Sequence, residues 1–329
     1  MSYNHLASVP FSHYKNINFS NLEFLNLNHN KLTVLQANDF HTMSILKHLS
    51  LDHNRFINID SMTFVGLSNL KHLDLNSNHK TEIKLPAKLF KEIANSVEHI
   101  SLQGNHLNQI PIETLRFGFK VKQIFLNENK IKQLLDHSFG HMYNLLEIYL
   151  SNNLIEHIET HAFGIAEESV AGPGLVEKLD LSYNQLTSLQ ANMFSYMTNL
   201  RYILLNNNLI KTIDTNAFHG INYLISLDLS LNKIEKLNFL SNRNLSNLRY
   251  LRLSNNNISR LRAAQFICLK SMKTLDLSSN RIRRITDCAF HGLQKTIKKL
   301  QLNYNQIYSL NSCAFRLDFT SLRFVQVNY

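Results

Sequence analysis

The sequence predicts an α/β repeat solenoid, rich in strand, with a parallel β-sheet on its concave face and loops or short helical turns on its convex face. Three observations predict it. The stretch LKHLSLDHNRF, Leu46–Phe56, returns as LKHLDLNSNHK, Leu70–Lys80, after 24 residues. The underlying phrase, L-x-x-L-x-L-x-x-N with Val, Ile or Met standing in for Leu, closes on Asn30, Asn54, Asn78, Asn105, Asn129, Asn153, Asn184, Asn208, Asn232, Asn256, Asn280 and Asn305. Ten residues beyond most of these asparagines stands a phenylalanine: Phe40, Phe64, Phe139, Phe163, Phe194, Phe218, Phe266, Phe290 or Phe315.

Each part of the phrase has a physical reason. In L-x-x-L-x-L the last two leucines alternate with polar residues, so one face of a short strand is apolar and the other wet. A single strand cannot bury its leucines; stacked copies bury them against the next copy and make one continuous core. The asparagine amide binds backbone groups of the following turn, and stacked asparagines then form a ladder. The phenylalanines form a second spine on the convex side. The interval from Asn153 to Asn184 is longer than the rest and holds GIAEESVAGPGL, Gly164–Leu175, which reads as a loop insertion.

Period and pattern resemble the leucine-rich repeat family over nearly the whole chain. The 24-residue form with Asn and Phe is similar to the "typical" subfamily of animal cell-surface and secreted proteins. The phrase FHGLQKTIKKLQLNYNQI, Phe290–Ile307, resembles the lengthened copies of chaoptin-like arrays; Toll-like and Slit-like arrays are the alternatives. The resemblance implies a curved horseshoe of about 13–14 repeats, spanning residues 1–329 as a single domain. It also implies non-enzymatic adhesion or ligand recognition at a cell surface. None of the family's ligand-contact motifs matches residue by residue, so none is carried over.

Composition narrows the function classes. The chain has 9 Gly and 4 Pro and no low-complexity linker. No apolar run approaches the roughly 18 residues that span a membrane, and MSYNHLASVP has no apolar stretch of the kind that opens a signal peptide. Met1 sits where a strand leucine belongs, and neither end carries the polar cap a solenoid needs. The chain therefore reads as a piece of a longer extracellular or cell-surface protein, with leader, caps and anchor outside it. Asn18, Asn244 and Asn257 each open an N-x-Ser sequon, the acceptor pattern of secreted proteins. Cys288 and Cys313 occupy one equivalent position, two before Phe290 and Phe315; stacked positions lie about 5 Å apart, within reach of a disulfide. Two buried free thiols are the alternative. No G-x-S-x-G, P-loop, H-E-x-x-H or G-x-G-x-x-G motif is present, so neither an enzyme nor a cofactor is expected. No base-reading motif points to nucleic acid.

Function is then sought on the variable strand positions, which face outward. There Phe125, Tyr149, Tyr202, Leu204 and Tyr250 place large apolar groups in water, as a partner's footprint does; Arg252 lies among them. His48, His72 and His99 fall in register on consecutive strands, with His29 and His53 on the turn side. Such imidazoles either bind a metal, charge together at low pH, or form a plain polar surface; no metal site is assigned. From Arg243 to Lys299 the chain carries 13 Lys or Arg against Asp276 and Asp287, a difference of 13 − 2 = +11 beside +10 for the whole chain. A basic segment attracts polyanions, and Arg260, Arg262, Arg281, Arg283, Arg284, Lys298 and Lys299 are the candidates. The function expected is protein binding through the concave face, with a protein ligand or cell-surface partner. A matrix protein holding heparan-type glycans and an intracellular scaffold are the alternatives, and homo-oligomerisation stays open.

Overall fold

The structure, a computed structural model, describes residues 1–11, 19–78, 82–164, 174–310 and 319–327. Its contacts divide the chain into two compact units, one of residues 1–154 and 161–175 and one of residues 155–160 and 176–329.

The first unit stacks the strands Phe24–Asn26, His48–Ser50, His72–Asp74, His99–Ser101, Gln123–Phe125 and Glu147–Tyr149. All pair in parallel and without slip: Leu25 lies beside Leu49, Leu49 beside Leu73, and so through Ile100 and Ile124 to Ile148. The second unit repeats the plan with Lys178–Asp180, Tyr202–Leu204, Ser226–Asp228, Tyr250–Arg252, Thr274–Asp276, Lys299–Gln301 and Phe324–Gln326. Its central residues, Leu179, Ile203, Leu227, Leu251, Leu275, Leu300 and Val325, again stand side by side. The middle residue of each strand is buried and its two neighbours are half-buried or exposed, except that Asp228 is itself buried and that Val325 is 43% exposed. Each unit is thus a β-rich parallel solenoid.

The asparagine ladder forms as its chemistry requires. Asn129 donates from Nδ2 to the carbonyls of Leu102, Leu126 and Asn127, and its Oδ1 accepts from the backbone N–H groups of Asn105 and Leu107. In the second unit Asn232 bridges Leu205 and Leu229 in the same way and accepts from Ile210. These amides are buried, and each satisfies polar backbone groups of its own turn and of the one before it. Phenylalanines line the opposite side. Phe40 and Phe64, Phe139 and Phe163, Phe194 and Phe218, and Phe266 and Phe290 stack at centroid distances of 5.9–6.4 Å. Phe239, absent from the ten-residue series, continues the spine 5.7 Å from Phe218 because the 3₁₀ turn Asn238–Ser241 carries it inward.

Two details depart from expectation. Besides turns, the stack carries a second set of two-residue strands, such as Val34–Leu35 beside Asn58–Ile59, and Arg260–Leu261 beside Arg284–Ile285 beside Ser309–Leu310. Helix is confined, among the described residues, to Ile112–Leu115 and the 3₁₀ turns Asn238–Ser241 and Arg243–Asn247. No helix among them is long and apolar enough to cross a membrane. Cys288 is exposed, which corrects the alternative of a buried thiol at that position. Cys288 sits with φ +54°, on a turn that projects it from the Phe290 spine. Cys313, Asn18, Phe315 and most of the Gly164–Leu175 insertion lie outside the described residues.

Candidate functional site

The outward strand positions fall into distinct groups. In the first unit, register places Phe24, His48, His72 and His99 in one column. Their rings stack face to face at 4.2–4.3 Å with interplanar angles of 4–9°, and His99 Nδ1 ends the column 2.7 Å from Gln123 Oε1. Burial, then Lys47 and His99, push the His48 imidazole below its ordinary value. Burial, then His99 and His48, do the same to His72. The three histidines are thus brought together, half-buried, and the environment disfavours the protonated form of His48 and His72.

One position earlier on each strand runs a charged column. Lys47 pairs with Glu23 at 3.0 Å, and Glu98 bridges Lys71 at 2.9 Å and Lys122 at 2.6 Å. Hydrogen bonds from Lys122 and Lys71 hold the Glu98 carboxyl down at about 2.

Phe125 and Tyr149 also stand in the first unit. Their rings stack at 4.7 Å and 8°, and the Tyr149 hydroxyl donates to the Glu147 carboxylate. Both are half-buried, so each shields the other.

The second unit differs. Tyr202 and Tyr250 are 42% and 45% exposed, and the register puts Ser226 between them. Two strand spacings separate the tyrosines by about 9–10 Å, and among the described residues neither ring stacks on another aromatic. They form the walls of a notch floored by a serine. Beside it the next outward positions carry Leu204, Asp228 and Arg252 in register. The Asp228 side chain is 11% exposed and accepts from Arg252 Nη1 at 3.2 Å. Arg252 is therefore committed to an ion pair at the edge of the notch.

The basic candidates separate onto two surfaces. Arg260 and Arg284 are register neighbours on the short second ladder, near Arg262. Arg283 and Arg284 donate to Gln306 Oε1 at 3.0 Å and to the Tyr308 hydroxyl at 2.7 Å, and Arg281 is exposed nearby in sequence. Lys298 and Lys299 belong to the main sheet, where Lys299 Nζ lies 5.3 Å from the Phe324 ring centroid. Lys298 also belongs to a column that the sequence reading missed. Backbone hydrogen bonds run from Lys273 to Arg249, from Lys298 to Lys273 and from Arg323 to Lys298. These four residues thus occupy the position that holds mixed charge in the first unit, and here every one is basic. None of the four has a carboxylate partner among the described residues. The signal for it in sequence is a cation just before each of these strands.

Of the sequons, Asn244 is half-buried and donates from Nδ2 to Asn222 Oδ1 at 2.6 Å, and Asn257 is half-buried on the turn after Asn256.

The buried asparagine ladder, the phenylalanine spine and the parallel strands together carry the family's signature. The leucine-rich repeat profile matches residues 2–56, 20–79, 44–107, 119–164, 175–234 and 222–282. The chain belongs to the leucine-rich repeat family. Leucine-rich repeat folds of this kind are generally interaction scaffolds rather than enzymes, and nothing in this chain points to catalysis. No curated protein matches this sequence. Among solved structures, a leucine-rich repeat protein of Leptospira interrogans is 26% identical, covering 99% of this chain and 76% of its own, with a TM-score of 0.74. The Toll chain of a Drosophila Toll–Spätzle complex is 22% identical over 93% of this chain, with a TM-score of 0.69. This leucine-rich repeat chain spans 43% of that one. An internalin of Listeria monocytogenes is 18% identical over 94% of this chain and 87% of its own, with a TM-score of 0.62.

Proposed function

We propose that the chain is the protein-binding part of an extracellular or cell-surface protein, acting in adhesion or ligand recognition, and that its partner docks on the Tyr202–Ser226–Tyr250 notch. The observation that carries this is the exposure of two tyrosines that shield neither each other nor a core. An aromatic wall beside a committed Asp228–Arg252 pair has the composition of an interface centre, where Tyr and Arg supply most binding energy. Phe125 and Tyr149 hold less exposed area and rank behind them. The Toll chain in complex with Spätzle supports a protein as the ligand, and the sequons at Asn244 and Asn257 support an extracellular setting.

A second reading rests on the Arg249–Lys273–Lys298–Arg323 column. Like charges on strands about 4.8 Å apart repel in the folded state, and a linear polyanion such as a heparan-type glycan relieves that repulsion.

One experiment separates the readings. Labelled chain is bound to intact cells, untreated, protease-stripped or heparinase-treated. Saturable binding that protease abolishes and that Tyr202→Ala with Tyr250→Ala weakens at least about tenfold supports the notch. Undiminished binding by the double variant overturns it, and loss on heparinase alone selects the glycan.

A further inference from the structure

One cluster among the described residues brings metal-ligating atoms together: the donor atoms of His29, Asp52 and His53 all lie within 4.8 Å of one another. The fold builds it from the repeat. His29 and His53 each precede a ladder asparagine, both adopt left-handed φ of +51° and +53°, and stacking of the turns sets their rings 4.2 Å apart at 15°. Tyr3 covers the other face of His29 at 4.2 Å and 10°.

Asp52 supplies the orientation. Its side chain is 12% exposed. Oδ1 accepts from Ser50 Oγ at 2.6 Å, and Oδ2 lies 2.7 Å from His53 Nδ1. That contact turns His53 Nδ1 toward the carboxylate, so that with its proton displaced Nδ1 and Oδ2 stand as adjacent donors for one cation.

We propose that His29, His53 and Asp52 form a surface site for a divalent transition-metal cation of the zinc class. Two imidazoles and a carboxylate match Zn²⁺, Co²⁺, Ni²⁺ or Cu²⁺, whereas Ca²⁺ and Mg²⁺ take oxygen donors. Zinc–nitrogen bonds of about 2.0–2.1 Å require the two nitrogens to converge. Parallel stacked rings do not achieve this, so binding turns the imidazoles out of their stack. The His χ2 torsion is soft, and His53, 49% exposed, has room to turn. Three protein donors leave a coordination position open to water or to a partner's side chain.

The test titrates Zn²⁺ by calorimetry, and Co²⁺ by its visible absorption, into the full chain. Variants are His29→Asn, His53→Asn and Asp52→Asn. Asparagine is chosen at the histidines because it tolerates left-handed φ, and circular dichroism confirms that each variant folds. His72→Gln serves as a control for the neighbouring imidazole column. The expected result is one equivalent bound, weakened at least about tenfold by either histidine change and by Asp52→Asn, and untouched by His72→Gln or by excess Mg²⁺. Absence of stoichiometric binding at about 1 mM Zn²⁺, a weakness for this donor set, overturns the site. Binding that survives the His29 and His53 changes, or that follows His72, overturns it equally.

Discussion

Residues just before the ladder asparagines carry a cost that the repeat phrase hides. His29, His53, Ser77, Glu128, Asn152, Tyr183, Asn207, Leu231, Asn255, Ser279 and Tyr304 all adopt φ between +50° and +56°, and Gly104 takes +67°. Left-handed φ favours Gly and Asn and penalises other side chains. The following asparagine, with its amide locked into several backbone bonds, over-determines the turn and lets almost any residue sit there. That is why the turn conformation was not legible in sequence: only Gly104, Asn152, Asn207 and Asn255 announce it, while His, Tyr, Glu and Leu disguise it. The asparagines themselves were legible, because a buried amide that serves two turns leaves no substitute. Leu231 shows the cost most plainly, since it is 48% exposed with φ +55° and its side chain gains little from packing. Leu231→Asn is expected to stabilise the chain by about 1 kcal/mol, read as a higher urea midpoint at unchanged slope. A lower midpoint would mean that the leucine packs more than it strains.

Strand by strand, the register was readable and the side-chain partnerships were not. Aligning on asparagine was enough to put His48, His72 and His99 in one column, because each interval inserts its extra residues in the turns and not in the strand. Whether outward aromatics shield each other or stand alone depends on neighbours and rotamers. Phe125 and Tyr149 therefore read the same in sequence as Tyr202 and Tyr250, although the first pair is stacked and the second is split by Ser226. Phe239 was missed because its 3₁₀ turn shifts the spine residue by three positions. The histidine column has a consequence for pH. Burial leads in lowering both His48 and His72; Lys47 and His99 add to it at His48, and His99 and His48 at His72, against the opposing pull of Glu23 and Glu98 respectively. A histidine depressed in the folded state binds fewer protons than in the unfolded state between its two values. Its stabilising contribution is full above the ordinary value of 6.5 and is lost as pH falls through the lowered one. Thermal melts of the wild type are expected to drop from pH 7 to pH 5. His72→Gln should flatten that drop by removing the middle charge, and an unchanged slope in the variant would assign the pH dependence to other groups.

Taken over the whole chain, charge is the property least visible from any single repeat. The formal net charge of +10 is concentrated late in the sequence, and the structure resolves it into a second-ladder pair at Arg260 and Arg284 and a main-sheet column at Arg249, Lys273, Lys298 and Arg323. Neighbouring backbone positions in that column are about 4.8 Å apart, inside the roughly 8 Å Debye length at physiological salt, so a polyanion meets their side chains as one field. Cations in the matching column of the first unit are each paired with Glu23 or Glu98. Arrangement therefore predicts more than net charge does. On a heparin column the wild type is expected to stay bound above about 0.15 M salt, because a field of this density outlasts that screening. Changing Arg249, Lys273, Lys298 and Arg323 to Gln should release the chain at markedly lower salt. Changing Lys31, Lys84, Lys88 and Lys91, which are exposed in the first unit, removes the same net charge and should shift elution much less. Equal shifts in the two variants would reduce the column to a bulk charge effect, and elution of the wild type below about 0.15 M would remove the glycan reading, since an interaction so easily screened does not hold at physiological salt.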